Sequence, residues 1–294
     1  MEYKGKSKEW LEKYYSPSRW SKKHNEDDII THHFEVSQRE NANVFQEARC
    51  DLNVPYGSSE RQKMNIFYAD GHDVNPSLDI PVLLFIHGGY WQIKEITRAT
   101  YNYVAAMFAN FGVTCVSASY DTCPDVTLSE IVEQIENVVE HVRSRFPNSN
   151  LFVSGHSAGG HLTAMMVNEG RNVTNRISGI IPLSGVFDLT PLLSTPENEA
   201  LKLTNQTVTK VSPLYLEAVT VGKVLVVVGD AESPEFIKQS EAYHQYVTSQ
   251  GINSRLLILP GDEDHFSLME SLAIRDSQLL KEMLSFILND SVAS

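Results

Sequence analysis

Short, uninterrupted apolar runs recur along this chain, and helix-patterned segments separate them. Val82-Leu83-Leu84-Phe85-Ile86 is apolar at every position, and residues 113–119, 151–153, 177–183, 224–228 and 254–259 follow the same habit. A run that does not alternate belongs to a strand buried on both faces. Between two of these runs, Leu128, Ile131, Val132, Ile135, Val138, Val139, Val142 and Phe146 fall at helical spacing. Thr127 and Glu130 have the capping-box spacing at the start of that segment, and Pro147 closes it. Further helices are expected over about 97–110, 234–250 and 274–288, and residues 63–68 alternate like one more strand. Strand, helix and strand in repetition require crossover connections. The expectation is therefore an α/β fold with a mostly parallel central sheet and helices on both faces. No internal repeat, low-complexity tract or linker divides the chain, so residues 1–294 read as a single domain.

Two stretches break the alternation. Residues 1–45 are polar and charged, yet Trp10, Tyr14, Tyr15 and Trp20 make them too aromatic for a disordered tail. They are expected to form helical pieces lying over the main body as part of a lid. Residues 190–220, with Pro191, Pro196 and Pro213, are expected to contribute a second, smaller part of it.

Composition narrows the partners. There are 24 Lys and Arg against 37 Asp and Glu, a net charge of −13, and no basic stripe. That balance argues against nucleic acid or an anionic membrane as a partner and suits a small-molecule substrate. No apolar run approaches the length of a membrane span, and no apolar segment of the signal-peptide kind follows Met1. Cys50, Cys115 and Cys123 show no paired spacing, which suits a reducing compartment. The expected location is cytoplasmic.

The chemistry starts from Gly155-His156-Ser157-Ala158-Gly159, which sits between an apolar run and an Ala- and Met-rich helical segment. Strand, sharp turn and helix is the setting in which G-x-S-x-G is a nucleophile elbow. A serine nucleophile also needs a base, an acid to orient that base, and donors for the oxyanion. In the α/β-hydrolase layout the order is Ser, acid, His, each just after a strand. Gly229-Asp230-Ala231-Glu232-Ser233-Pro234 follows one apolar run, and Gly261-Asp262-Glu263-Asp264-His265-Phe266 follows the last. His265 is the expected base. The acid is Glu232, at the third position after the strand-terminal glycine, with Asp230 as the alternative. His87-Gly88-Gly89-Tyr90-Trp91 follows residues 82–86 in the manner of a lipase HGGG-type loop. The expected oxyanion donors are the amides of Gly89, Tyr90 and Ala158. His87 is expected to brace that loop and to take no part in proton transfer. His156 and His161, beside the nucleophile, are expected to make local contacts only.

His87-Gly88-Gly89-Tyr90-Trp91-Gln92, Gly155–Gly159, Ser184-Gly185-Val186-Phe187-Asp188-Leu189, Ser233-Pro234-Glu235-Phe236 and Asp264-His265-Phe266 together resemble the kynurenine formamidase (arylformamidase) family. Pro17-Ser18-Arg19-Trp20 resembles it as well, so the likeness spans most of the chain. The family is a branch of the hormone-sensitive-lipase-like α/β hydrolases. One position departs from it: animal members carry Asp where this chain has Glu232. The resemblance implies a serine hydrolase without cofactor or metal. The implied reaction cleaves N-formyl-L-kynurenine to L-kynurenine and formate, in tryptophan catabolism. A formyl group demands little acyl-side space, and an aryl leaving group implies an aromatic-lined pocket, with Tyr90, Trp91 and Phe187 as expected lining. The resemblance leaves open whether the protein is a monomer or a homodimer. A general short-chain carboxylesterase of the same branch would use the same catalytic groups. A non-catalytic binding relative would typically have lost the serine or the histidine, whereas both are present. A metal-dependent formamidase would need clustered His and carboxylate ligands, and the sequence shows no such spacing.

Overall fold

The computed structural model describes residues 3–44, 49–168, 170–171, 173, 176–219 and 222–289. Among the described residues, eight strands form one sheet: β1 (Cys50–Pro55), β2 (Lys63–Phe67), β3 (Val82–Ile86), β4 (Thr114–Ala118), β5 (Leu151–His156), β6 (Gly179–Leu183), β7 (Lys223–Gly229) and β8 (Ser254–Leu259). Their order is β1-β2-β4-β3-β5-β6-β7-β8. The β1–β2 and β2–β4 pairs are antiparallel, and every pair from β4 to β8 is parallel. β3, β4, β5 and β6 are buried at every position, as their unbroken apolar runs require.

Successive side chains of a strand face opposite ways. Leu84, Val116, Val153, Ile180 and Val226 fill one side of the sheet with α4 (Leu128–Arg145) and α5 (Ala158–Met165). Leu83, Phe85, Cys115, Ile181 and Val227 fill the other with α3 (Asn102–Asn110) and α9 (Gln278–Leu288). Full burial of one such side chain is worth about 1.5–3 kcal/mol relative to exposure. The capping box of α4 is formed as expected: Thr127 accepts from the Glu130 amide, and the Glu130 carboxylate accepts from the Thr127 amide at 2.7 Å.

Four elements depart from the sequence reading. β8, whose apolar run predicts burial on both faces, is the edge strand opposite β1, and only its Leu259 is buried. α3 begins five residues later than expected, because side-chain hydroxyls take the amides that would have opened it. Thr100 Oγ1 accepts from Thr97 N at 3.0 Å, and Ser119 Oγ accepts from Arg98 N at 2.7 Å. α9 begins at Gln278, where Ser277 caps it by accepting from the Leu280 amide. β1 was not anticipated: it is an exposed edge strand, so it carries no apolar signature.

The N-terminal segment folds as α1 (Lys8–Tyr15), a single 3-10 turn (Pro17–Trp20) and α2 (Glu26–Val44). α1 lies against α7 (Pro234–Ser249) and the Thr190–Ser194 turn, and α2 against α3 and α8 (Ser267–Glu270). Residues 190–219 are 3-10 turns around one short helix, α6 (Asn198–Leu201); Thr220 lies outside the described residues. Five adjacent parallel strands, β3, β5, β6, β7 and β8, thus end along one edge of the sheet, where loops of open α/β sheets form their sites.

Candidate active site

Ser157 closes the turn from β5 to α5 with φ 58° and ψ −116°, a conformation that L-residues adopt only under constraint. Its amide donates to Leu183 O at 2.9 Å, and its carbonyl accepts from His161 N at 3.0 Å. The glycines on either side exist because backbone approaches them. A Cβ on Gly155 would stand 2.4 Å from Gly159 O, and one on Gly159 would stand 2.1 Å from Ile86 O. The sharp turn leaves Ser157 on the wall of a cavity at the end of β5.

The loop after β7 carries two carboxylates, and they part company. Glu232 is buried. Its Oε2 lies 2.8 Å from His265 Nδ1, and its Oε1 accepts a short hydrogen bond from the hydroxyl of Ser184, the residue that follows β6. Asp230 is exposed; it accepts from the amides of Gly261 at 3.1 Å and Glu263 at 3.0 Å, bracing the loop that carries His265. Of the two acids, the one paired with histidine is therefore Glu232. With Nδ1 facing a carboxylate, Nε2 of His265 is the nitrogen left to take a proton. Phe236 and Phe266 stand edge-on to the imidazole, and the His156 ring lies tilted against it at 4.3 Å. Burial and the neighbouring His265 hold His156 well below the ordinary histidine range, so it stays neutral.

The loop after β3 reaches the same place. Gly89, Tyr90 and Trp91 have φ of 101°, 48° and 58° in succession, turning the chain back over the elbow. A Cβ on Gly88 would stand 3.2 Å from that of Ser157, which measures how closely the two segments run. The amides of Gly89, Tyr90 and Ala158 donate to no protein acceptor among the described residues. Several contacts hold this loop rigid. Tyr120 Oη donates to the carbonyls of His87 and Gly88, both at 3.1 Å, and the Tyr90 hydroxyl donates to Tyr15 O. The His87 ring stacks on Tyr120 at 4.4 Å, and its Nδ1 lies 2.8 Å from Gly88 O. Burial pushes its pKa down to about 3, so it is a neutral brace.

Ser157 and His265 open onto a cavity of about 260 Å³, near the small end for ligand sites. Its walls are largely apolar: Ser16, Pro17, Ile30 and Phe34 of the N-terminal segment, then Tyr90, Ile93, Ile96, Tyr101 and Phe266. A larger cleft of about 590 Å³ between residues 3–6 and 190–205 touches none of the side chains named so far in this site.

A family model described as the alpha/beta hydrolase fold matches residues 83–265. Kynurenine formamidase of Salmo salar is 33% identical to this chain, with 97% of this chain and 98% of that protein aligned. The chain belongs to the kynurenine formamidase family of α/β hydrolases. The Danio rerio kynurenine formamidase is 32% identical over the same shares of both chains. A solved structure of a candidate thioesterase from Silicibacter sp. has a TM-score of 0.76 at 27% identity, covering 92% of this chain and 97% of that one. Membership in the kynurenine formamidase family makes the protein an enzyme, a hydrolase.

Within that family setting, two expected lining residues lie elsewhere. Trp91 is buried behind the loop, where its Nε1 donates to His161 Nδ1 at 3.2 Å; His161 in turn presents Nε2 to Val211 O at 2.7 Å. Phe187 is fully buried and stacked on Tyr243 at 4.2 Å, in the core beside α7. Only Tyr90 of the three is on the cavity wall. Three residues around the acid and base were not singled out in the sequence. Ser184 lay in plain view within the Ser184–Leu189 motif. Asp264 accepts from the amides of Phe266 and Ser267, and Ser21 donates to its Oδ2 at 2.6 Å. Burial opposes the charge on Asp264, but Ser21 and those amides outweigh it and hold the carboxyl below its usual range. Nothing in the sequence ties Ser21 to Asp264, because 243 positions separate them.

Proposed function

We propose that this hydrolase cleaves N-formyl-L-kynurenine to L-kynurenine and formate, a step of tryptophan catabolism, through a Ser157–His265–Glu232 triad and a formyl-enzyme intermediate. The observation that carries the reading is the buried Glu232–His265 pair at 2.8 Å, opening onto the same small cavity as Ser157. Similarity to named kynurenine formamidases supports the substrate.

In this reaction Ser157 Oγ attacks the formyl carbon while His265 Nε2 takes its proton. Glu232 stabilises the imidazolium and fixes its tautomer, with Ser184 holding the second carboxylate oxygen in place. The oxyanion settles on the amides of Gly89, Tyr90 and Ala158, which need no reorganisation to receive it. The C–N bond then breaks, and His265 returns the proton to the departing aniline nitrogen. Water, deprotonated by the same histidine, attacks the formyl ester; formate leaves and Ser157 recovers its proton. The leaving group is an aryl amine, and Tyr90, Tyr101, Phe34 and Phe266 offer it aromatic walls. The formyl carbon bears only hydrogen, in keeping with a small cavity. The described parts of the expected lid, residues 3–44 and 190–219, cover the site of a single catalytic domain; residues 1, 2, 45 and 220 lie outside the described residues. Three free cysteines suit work in the cytoplasm.

The test is release of kynurenine from N-formyl-L-kynurenine, followed by absorbance, beside turnover of a short-chain aryl ester. Wild type turns over the formamide efficiently, and Ser157→Ala lowers kcat by roughly 10³-fold or more without lowering the melting temperature. Turnover of the ester alone would instead make the protein a general carboxylesterase.

A further inference from the structure

Glu197 stands just before α6 and lines the cavity shared by Ser157 and His265. Its Oε2 is buried, and among the described residues it meets no hydrogen-bond donor. A carboxylate against apolar walls costs free energy unless a cation or a set of donors meets it. The neighbouring groups do not supply one. Both nitrogens of His33 are engaged, Nδ1 by Glu270 at 3.0 Å and Nε2 by Tyr101 Oη at 3.1 Å. The Tyr90 hydroxyl is spent on Tyr15 O, His265 faces Glu232, and His156 is neutral. No lysine or arginine is among the lining residues. Among the described residues, the wall thus presents a carboxyl group with no cationic partner.

We infer that Glu197 is the specificity residue that receives a primary ammonium group carried on the leaving-group side of the substrate. The side follows from the chemistry: a formyl group has no atom that could bear the charge, so the cation must sit on the amine half. This inference rests on the formamidase reading and deepens it, since the kynurenine half of N-formyl-L-kynurenine carries an α-ammonium. Glu197 takes no part in proton transfer. It positions the leaving group, and its effect is expected in KM.

Two formanilides decide the matter: N-formyl-L-kynurenine and its des-amino analogue, 4-(2-formamidophenyl)-4-oxobutanoate, each with wild type and Glu197→Gln. The variant should lose roughly 10- to 100-fold in kcat/KM on the ammonium substrate, mostly through KM, and stay within about 2-fold on the analogue. Equal loss on both by a variant that melts like wild type would overturn the assignment, and so would no loss on either. If Glu197→Gln does not fold, Glu197→Asp replaces it, with a smaller loss that is still confined to the ammonium substrate. If wild type turns over neither formanilide, the formamidase reading fails by itself. The same comparison on O-acetyltyramine and phenyl acetate, esters with and without the ammonium, then decides Glu197.

Discussion

Asp230 and Glu232 stand two positions apart in one loop and serve different neighbours. Glu232 is buried between Ser184 and His265, while Asp230 is exposed and ties its own loop to the β8 loop through two amides. Replacing the buried one should therefore strike the chemistry. Glu232→Gln is expected to lower kcat by roughly 10³- to 10⁴-fold, because the histidine loses both its tautomer and the charge that stabilises its protonated form. Asp230→Asn should keep kcat within about 10-fold and show instead as a lower Tm. Steady-state kinetics and thermal melts on the two variants separate the roles. The sequence narrowed the acid to these two because both follow β7. It could favour one by position but not show its partner, since Ser184 comes from the adjacent strand's end, 48 positions away. Trp91 and Phe187 show the complementary limit. Aromatic character foretells burial, but whether a ring faces a cavity or the core depends on neighbours such as His161 and Tyr243.

At the scale of elements, the apolar runs announced the inner strands closely because burial on both faces leaves no choice of residue type. β1 and the start of α3 escaped because an exposed edge and side-chain hydroxyl caps leave no apolar pattern. The N-terminal helices were legible as ordered, aromatic pieces, yet their attachment to the base loop was not. That attachment has two kinds of contact. Lys22–Asp262 is an exposed ion pair and Lys23–Glu263 a partly exposed one, both worth little and screened by salt. Ser21 Oγ instead donates to the buried Asp264 beside His265. Ser21→Ala is therefore expected to raise KM by roughly 5-fold, the equivalent of about 1 kcal/mol, as the segment that walls the cavity loosens. Raising the salt to about 0.5 M should change wild-type KM far less. Kinetics of both, side by side, check the point.

For the molecule as a whole, buried neutral histidines set the response to acid. Burial lowers His87 from 6.5 to about 3 and His161 from 6.5 to about 4. Between those values the unfolded chain binds more protons than the folded one, so stability rises with pH across the window. It is fully present above about pH 6.5 and is lost as pH falls toward about 4. Melts followed by circular dichroism should be flat from about pH 8 to 6.5 and then decline. His161→Gln, whatever it costs at high pH, should decline less steeply between about 6.5 and 4 because one of the protonating groups is gone.

The N-terminal segment also has a history within each molecule. Tyr3 docks its hydroxyl on Asp188, and Ser21 docks on Asp264, partners that lie 185 and 243 positions downstream. Tyr3 and Ser21 therefore cannot make these contacts until most of the sheet, and for Ser21 all of it, has been made. At about 5–20 residues per second, Ser21 waits roughly 10–50 s for its partner to be synthesised. Through that interval α2 can already meet α3, but the contact that ties Ser21 to the loop carrying His265 cannot form. Each nascent chain thus completes its sheet before Ser21 can be fastened beside His265, and the cavity is closed off by a segment made well before the strands it covers.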